Sequence, residues 1–270
     1  MMKQTIGLVG AGNMGTAILE GVLKERIAAP RKLWVYDKVA AKAKLFARKA
    51  GVRQAVTAEE LFQRAEVILL AMKPQDLPAF AAENREFVKP GHSFVSILAG
   101  ISTAGILRAF GKKVPVVRAM PNLGAKVGES MTVVCGRDKK SLSCAVKLFF
   151  GCGKVLCLPE NRFDLVTAVS GSGPAYFFHL MELLEGFGVR QGLPREVAAA
   201  LAVQTGVGAA LLARGADVPC AVLRQRVTSK KGTTEAALKV LKRGNFGGIF
   251  QRGLSAAMAR SRALRQRKTV

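Results

Sequence analysis

Six residues near the start of the chain have the composition of an anion cradle. Gly10-Ala11-Gly12-Asn13-Met14-Gly15 follows a short apolar run, Thr5 to Val9, and precedes an apolar-periodic stretch from about Thr16 to Lys24. A strand, a glycine turn and a helix in that order bind the pyrophosphate of a dinucleotide, and each glycine has its own task. Gly10 permits the tight turn. Gly12 lets backbone N–H groups close on a phosphate at the positive end of the helix, and Gly15 lets that helix lie near the strand. Taken alone the glycine pattern is weak evidence. Here Asp37 ends a second apolar run, Leu33-Trp34-Val35-Tyr36, at the spacing where a carboxylate meets the ribose hydroxyls.

A second stretch has the chemistry of an acid-binding site. Val227-Thr228-Ser229-Lys230-Lys231-Gly232-Thr233-Thr234 opens a helical pattern and offers backbone N–H groups, hydroxyls and two cations together. That set suits a carboxylate, whereas a plain helix cap needs only one of those groups. Ser170-Gly171-Ser172-Gly173-Pro174 lies between two helical patterns, and Ser172 or Gly173 is placed to cap the second.

The inventory of general bases is thin. There are two histidines. His92, in Pro90-Gly91-His92, reads as a turn residue, and His179, between Phe178 and Leu180, reads as a residue packed in a core. The five cysteines form no CxxC pair and read as reduced, inert thiols in apolar surroundings. Neither histidine is spaced with them as a metal ligand, so no metal is expected.

These groups need elements to hold them. Strand and helix patterns alternate to about residue 160: helices over 39–50, 58–64 and 139–149, and strands near 54–56, 67–71, 94–98, 114–119, 131–135 and 154–158. The wholly apolar Val67-Ile68-Leu69-Leu70-Ala71 implies a strand buried on both faces of a parallel sheet. The loops after it, after Leu98 and after Ala119 then open on the same crevice as the glycine loop. From about Asn161 only helices are expected: 162–169, 174–188, 194–213, 220–226, 233–242 and one from about Phe250. The fold class is therefore α/β, a Rossmann-type doubly wound sheet followed by an all-α domain, with domains 1–160 and 161–270.

At 270 residues, half of them hydrophobic, the chain can bury a large core. Its formal charge of +24, from 42 Lys and Arg against 18 Asp and Glu, is read as a basic surface that attracts anionic ligands. Aromatic residues make up only 6% and no nucleic-acid module appears, so no nucleic acid is expected. Val197 to Ala213 is about 17 residues without a charge, short for a bilayer and holding Gln204 and Thr205, so it reads as a buried helix. That helix is apolar on nearly all sides and rich in Ala and Gly, which one thin helical domain can hardly cover; a second subunit is expected. The start of the chain has no signal-peptide pattern, and a cytoplasmic protein is expected. The run from Arg260 to Lys268 reads as the basic finish of a last helix with a frayed tail.

The chain resembles pyrroline-5-carboxylate reductase over essentially its whole length. The stretches that carry this are GAGNMGTAI (10–18), AMKPQ (71–75), SILAG (96–100), VRAMPN (117–122), VTAVSGSGPAYFF (166–178), GLPREVA (192–198), LAVQTGVGAA (201–210) and LRQRVTSKKGTTEAAL (223–238). The resemblance implies hydride transfer from NAD(P)H to a cyclic imine, giving L-proline, the last step of proline biosynthesis. By matched motif, Val9, Gly10, Ala11, Gly12, Asn13 and Met14, with Gly15, would hold the pyrophosphate. Ala71, Met72, Lys73 and Pro74, with Leu98, Ala99 and Gly100, would line the ribose and nicotinamide. Ser229, Gly232, Thr233 and Thr234 would bind the substrate carboxylate, and the Thr234 hydroxyl would bond the imine nitrogen as the catalytic group. The helical domain would interlock as a homodimer. A protonated imine is already electrophilic, so placement and a hydrogen bond suffice, whereas a hydroxy-acid dehydrogenase needs a base.

The chain departs from the family pattern in three places. Lys230-Lys231 replaces a Pro-Gly pair; a lysine at a positive-φ position there is strained by about 1–2 kcal/mol. Gly124 stands where proline is usual, which loosens that loop. Thr57 lies near a position often held by an adenosine-contacting asparagine. The lysines leave open a different cyclic imino acid as substrate, or a non-catalytic nucleotide-binding regulatory role. Asp37 repels a 2′-phosphate and tilts the cofactor toward NADH, while Lys38 and Lys42 could accept one.

Overall fold

The computed structural model describes residues 1–266. The chain alternates β1 (Ile6–Val9), α1 (Asn13–Lys24), β2 (Leu33–Tyr36), α2 (Ala40–Ala50), β3 (Arg53–Gln54), α3 (Ala58–Arg64), β4 (Val67–Leu70), α4 (Leu77–Asn84), β5 (Ser93–Ser96), α5 (Thr103–Phe110) and β6 (Val116–Met120). β7 (Ser130–Gly136), α6 (Lys139–Phe150) and β8 (Gly153–Cys157) complete an eight-stranded sheet of order β3-β2-β1-β4-β5-β6-β7-β8. Every strand runs parallel to its neighbour except at β6 and β7, which are antiparallel. β1 and β4 are buried at every residue, as strands covered by helices on both faces must be.

The register aligns Val9 with Leu70 and Leu70 with Ser96, so the loops after β1, β4 and β5 leave the sheet side by side. The chain order reverses between β1 and β4, the switch point at which such sheets open a crevice. Two helices absent from the sequence reading are present. α4 starts with proline in its first turn, and α5 is capped by the Ser102 hydroxyl, which accepts from the Gly105 N–H at 3.0 Å, and stopped by Gly111 at φ 63°.

After β8 come α7 (Phe163–Val166), a π turn over Thr167–Gly171, α8 (Gly173–Arg190), α9 (Arg195–Gly215), α10 (Cys220–Arg226), α11 (Thr233–Arg243) and α12 (Phe246–Gln266). α12 begins four residues before the expected Phe250. Its basic finish is helical through Arg265, and the expected tail with Arg267 and Lys268 lies outside the described residues. The chain has two compact units, one of Met1–Gly171 with the chain from Ala257 onward, the other Ser172–Ala256. α7 and the π turn belong with the sheet.

Within the second unit α8 and α9 lie close because their small residues face one another. A Cβ on Gly188 would come within 3.0 Å of the Ala198 Cβ, and one on Gly206 within 2.6 Å of Met181 Cε. The rest of α9 is exposed in a single chain, in keeping with the expected need for a second subunit to bury it: Ala198 and Ala202 are its buried residues, while Leu201 is 55% and Leu212 68% exposed. On α8, Phe177 is 64% exposed. Among the described residues, nothing buries these side chains. By length and composition alone, α9 is also long and apolar enough to cross a membrane.

Candidate functional site

Each glycine of the first loop is required for a different reason. Gly10 has φ 103°, and a Cβ there would sit 2.7 Å from the Met72 N and 2.8 Å from the Ala71 carbonyl, against the loop after β4. A Cβ on Gly15 would come within 2.5 Å of the Gly10 carbonyl oxygen and 2.8 Å of Leu8, so α1 packs directly on β1. Gly12 differs from both: a Cβ there meets nothing within 4 Å. Its lack of a side chain serves no contact of the protein with itself, and leaves open the space a phosphate occupies.

Gly12 is the N-cap of α1 and no side chain caps the helix. The Gly10 N–H donates to the Tyr36 carbonyl at 2.8 Å and the Ala11 N–H to Asp37 Oδ2 at 2.8 Å. Among the described residues, the N–H groups of Gly12, Asn13 and Met14 have no protein acceptor, which makes the open end of the helix an anion site. Of the expected phosphate donors, Ala11 is therefore taken by Asp37. Asp37 Oδ1 also accepts from the Val39 N–H at 2.8 Å, which fixes the carboxylate at the end of β2 beside the glycine loop. Lys38 is paired with Asp76 at 3.0 Å.

Ala71 and Met72 touch the glycine loop, and Lys73 and Pro74 lead into a short 3-10 turn ending at Asp76. Leu98 is buried in the core, as is Val9, so each can face a ligand only with its backbone. Ala99 is exposed and Gly100 turns at φ 73°. Asn122, just after β6, accepts from the Gly124 N–H at 3.0 Å and donates to the Ser170 hydroxyl at 3.3 Å, so Ser170 meets this edge of the sheet.

Gly124 does not loosen its loop. Its N–H is bonded to Asn122, its carbonyl accepts from Glu129 at 2.9 Å, and a Cβ would stand 2.6 Å from the Glu129 oxygen. Thr57 caps α3, its hydroxyl accepting from the Glu60 N–H at 3.1 Å.

In the second unit, Gly232 is the N-cap of α11 with no side-chain cap. Thr228 spends its hydroxyl on the Arg224 carbonyl at 2.6 Å. The hydroxyls of Ser229, Thr233 and Thr234 have no protein partner among the described residues. Lys231 has φ 60°, the left-handed region that favours glycine, and its N–H donates to Glu235 Oε2 at 2.7 Å. Glu235, held also by Lys239 at 3.3 Å, has its carboxyl acidity strengthened by the Lys231 N–H and then by Lys239. Lys230 and Lys231 are exposed.

His92 lies in the turn expected, its N–H donating to the Lys89 carbonyl at 3.0 Å, but its ring is buried, and His179 is not packed in a core. His92 is buried at 6% exposure: Nδ1 accepts from the Lys89 N–H at 3.0 Å, which leaves Nε2 to carry the proton and donate to the Phe62 carbonyl at 2.9 Å. Burial holds its pKa below the usual imidazole value. His179 is exposed on α8 with its side chain 65% accessible, 2.9 Å from Glu182. His92 makes its ring bonds to Lys89 and Phe62, not to the glycine loop. Among the cysteines, Cys144 and Cys152 are buried, and burial pushes the Cys152 thiol up to about 12; Cys157 and Cys220 are exposed, unlike the apolar setting expected for all five. Among the described residues no three His, Cys, Asp or Glu side chains gather as a metal site.

Comparison with known proteins gives a consistent picture. Residues 160–264 match the family model for pyrroline-5-carboxylate reductase dimerisation, and residues 5–100 match that for coenzyme F420-dependent NADP oxidoreductase. The chain is 36% identical to a pyrroline-5-carboxylate reductase of Pseudomonas aeruginosa over 98% of each chain. It is 34% identical to one of Arabidopsis thaliana, over 97% of this chain and 95% of that one. A pyrroline-5-carboxylate reductase structure from Coxiella burnetii superposes with a TM-score of 0.90 at 32% identity, covering 97% of this chain and 99% of that one. A Plasmodium falciparum pyrroline carboxylate reductase with NADP bound superposes at 0.88 and 25% identity, over 98% and 99%.

Proposed function

The chain belongs to the pyrroline-5-carboxylate reductase family, and from that premise we propose that it reduces the C=N bond of 1-pyrroline-5-carboxylate to L-proline at the expense of NAD(P)H. The observation that carries this reading is that the chain has two uncapped helix ends: Gly12 with open space over it, and Gly232 beside three hydroxyls without a protein partner among the described residues. The first suits a pyrophosphate and the second a carboxylate.

A bound nicotinamide supplies the hydride. The residues of this chain hold and orient the reactants. N–H groups at Gly12, Asn13 and Met14 grip the pyrophosphate, Asp37 takes the ribose hydroxyls, and the backbone at Ala71–Pro74 and Leu98–Gly100 faces the sugar and nicotinamide. The Ser229 hydroxyl and the Thr233 hydroxyl and N–H bind the substrate carboxylate and fix the ring, while the Gly232 N–H, expected to join them, is spent on the Ser229 carbonyl at 3.0 Å. The Thr234 hydroxyl hydrogen-bonds the imine nitrogen, keeping the C=N carbon in place for hydride addition and the nitrogen protonated. No side chain has to titrate, which agrees with both ring nitrogens of His92 being spent on Lys89 and Phe62. The exposed apolar faces of α8 and α9 support a homodimer closed through the helical region, and a dimer accounts for α9 without a membrane. A cytoplasmic enzyme is the expected setting.

The cofactor is proposed to be NADH. Asp37 is a fixed negative charge at the ribose position, and Lys38 is already neutralised by Asp76, which leaves Lys42 as the cation close in sequence for a 2′-phosphate. Initial rates with NADH and NADPH test this, and a clear NADPH preference rejects the role given to Asp37.

A further inference from the structure

The end of the last helix is seated on the loop that follows β5. Ser261 donates its hydroxyl to Asp164 Oδ1 at 2.8 Å, and Arg265 Nη2 lies 3.2 Å from Asp164 Oδ2. Asp164 is 4% exposed, so both of its oxygens are buried and both are served by α12. One helical turn places Leu264 between those two anchors and directly over Gly100: a Cβ on Gly100 would be 3.3 Å from the Leu264 backbone carbon and Cβ, and 3.5 Å from the Arg265 N. The left-handed turn at Gly100 thus presses on the helix backbone with no side chain between them.

The far side of the same loop is held separately. Glu160 accepts from the Thr103 N–H and hydroxyl, each at 2.8 Å, and from Arg118 Nη1 at 3.3 Å, which secures the start of α5. Arg118 is itself 1% exposed and stacked over Phe163. The loop from Leu98 to Thr103 is therefore clamped at Thr103 by the region after β8 and at Gly100 by the chain's last helix.

We propose that Asp164, Ser261 and Arg265 are positioning residues for the cofactor: they latch α12 so that Leu264 fixes the Leu98–Gly100 turn in the conformation that receives the nicotinamide. This rests on the reading above that the turn faces the nicotinamide. Releasing the latch lets the turn move, and the loss falls on cofactor binding before it falls on the imino acid.

The test compares Arg265→Ala, Arg265→Lys and Ser261→Ala in the full chain. NADH binding is followed by quenching of protein fluorescence, alongside KM for NADH and for 1-pyrroline-5-carboxylate and the thermal midpoint. Arg265→Ala is expected to weaken NADH binding about fivefold to tenfold, with the imino-acid KM and the thermal midpoint close to those of the parent. Arg265→Lys restores most of the affinity, and Ser261→Ala gives a smaller loss in the same direction. Unchanged NADH affinity in Arg265→Ala overturns the proposal, as does a parallel rise of both KM values with a lowered midpoint, which marks a purely structural contact. The fluorescence arm needs no turnover: a parent that binds NADH but leaves the imine unreduced defeats the assigned reaction and leaves the latch to be judged on binding.

Discussion

Two helices of this chain start from a glycine with nearly the same backbone: Gly12 before α1 at φ −83°, ψ 176°, and Gly232 before α11 at φ −84°, ψ 172°. Both lack a side-chain cap, so both present free N–H groups to an anion. Their surroundings differ in kind. The first grows out of a fully buried strand, with Gly15 on the Gly10 carbonyl and Asp37 tied to Ala11, and its shape is set by the core. The second lies on an exposed loop, where the hydroxyls of Ser229, Thr233 and Thr234 have no partner among the described residues and Lys231 is held in a left-handed turn by Glu235. On the proposed reading, a pyrophosphate common to all dinucleotides would be met by rigid backbone, and the substrate acid by side chains that can vary.

Substitutions can break this comparison at either end. The largest effect is expected at Thr234→Ala, which removes the hydroxyl assigned to the imine nitrogen: imine reduction should fall by about 10²–10³ in kcat while NADH affinity stays within twofold of the parent. A loss of both together shows that the two helix ends are not independent. Next, Gly12→Val fills the open cradle and should raise KM for NADH about tenfold or more without lowering the thermal midpoint. Gly15→Ala drives a methyl against the Gly10 carbonyl and should instead destabilise the fold by about 1–3 kcal/mol. Equal midpoints for the two variants contradict the distinction drawn between them.

Lys231→Gly sharpens the second region. It removes a lysine from a left-handed position and is expected to stabilise the protein by about 1 kcal/mol, read as a higher denaturation midpoint, with the imino-acid KM reporting whether the cation takes part in binding. The smallest effect concerns His92. Its folded pKa lies below the usual 6.5 because burial disfavours the cation, so its neutral form adds stability above pH 6.5 that is lost as the pH falls through the folded value. Stability should therefore drop as the pH falls below 6.5, and His92→Gln should flatten part of that slope.

The strand, glycine loop and helix at the start of the chain were legible because a strand buried on both faces must be continuously apolar and the glycines sit at fixed offsets. α4 and α5 were not, since each is eight residues long. Ser102 and Gly111 were the usable signals for α5, as cap and stop. The turn at His92 was legible, but the settings of the two histidine rings were not, because neighbours in sequence do not say which way a side chain faces: the turn folds the His92 ring inward onto Phe62, and His179 on α8 is exposed. The free hydroxyls before α11 were readable as a group, while the loss of Thr228 to Arg224 and of Ala11 to Asp37 depended on distances that only the fold supplies.

The central claim is tested most directly by mixing purified protein with NADH and 1-pyrroline-5-carboxylate, following cofactor oxidation and identifying the product, beside a small panel of other cyclic imino acids. The account predicts oxidation matched mole for mole by L-proline, fastest with this substrate. NADH that binds yet remains unoxidised in its presence, or turnover confined to another imino acid, contradicts it.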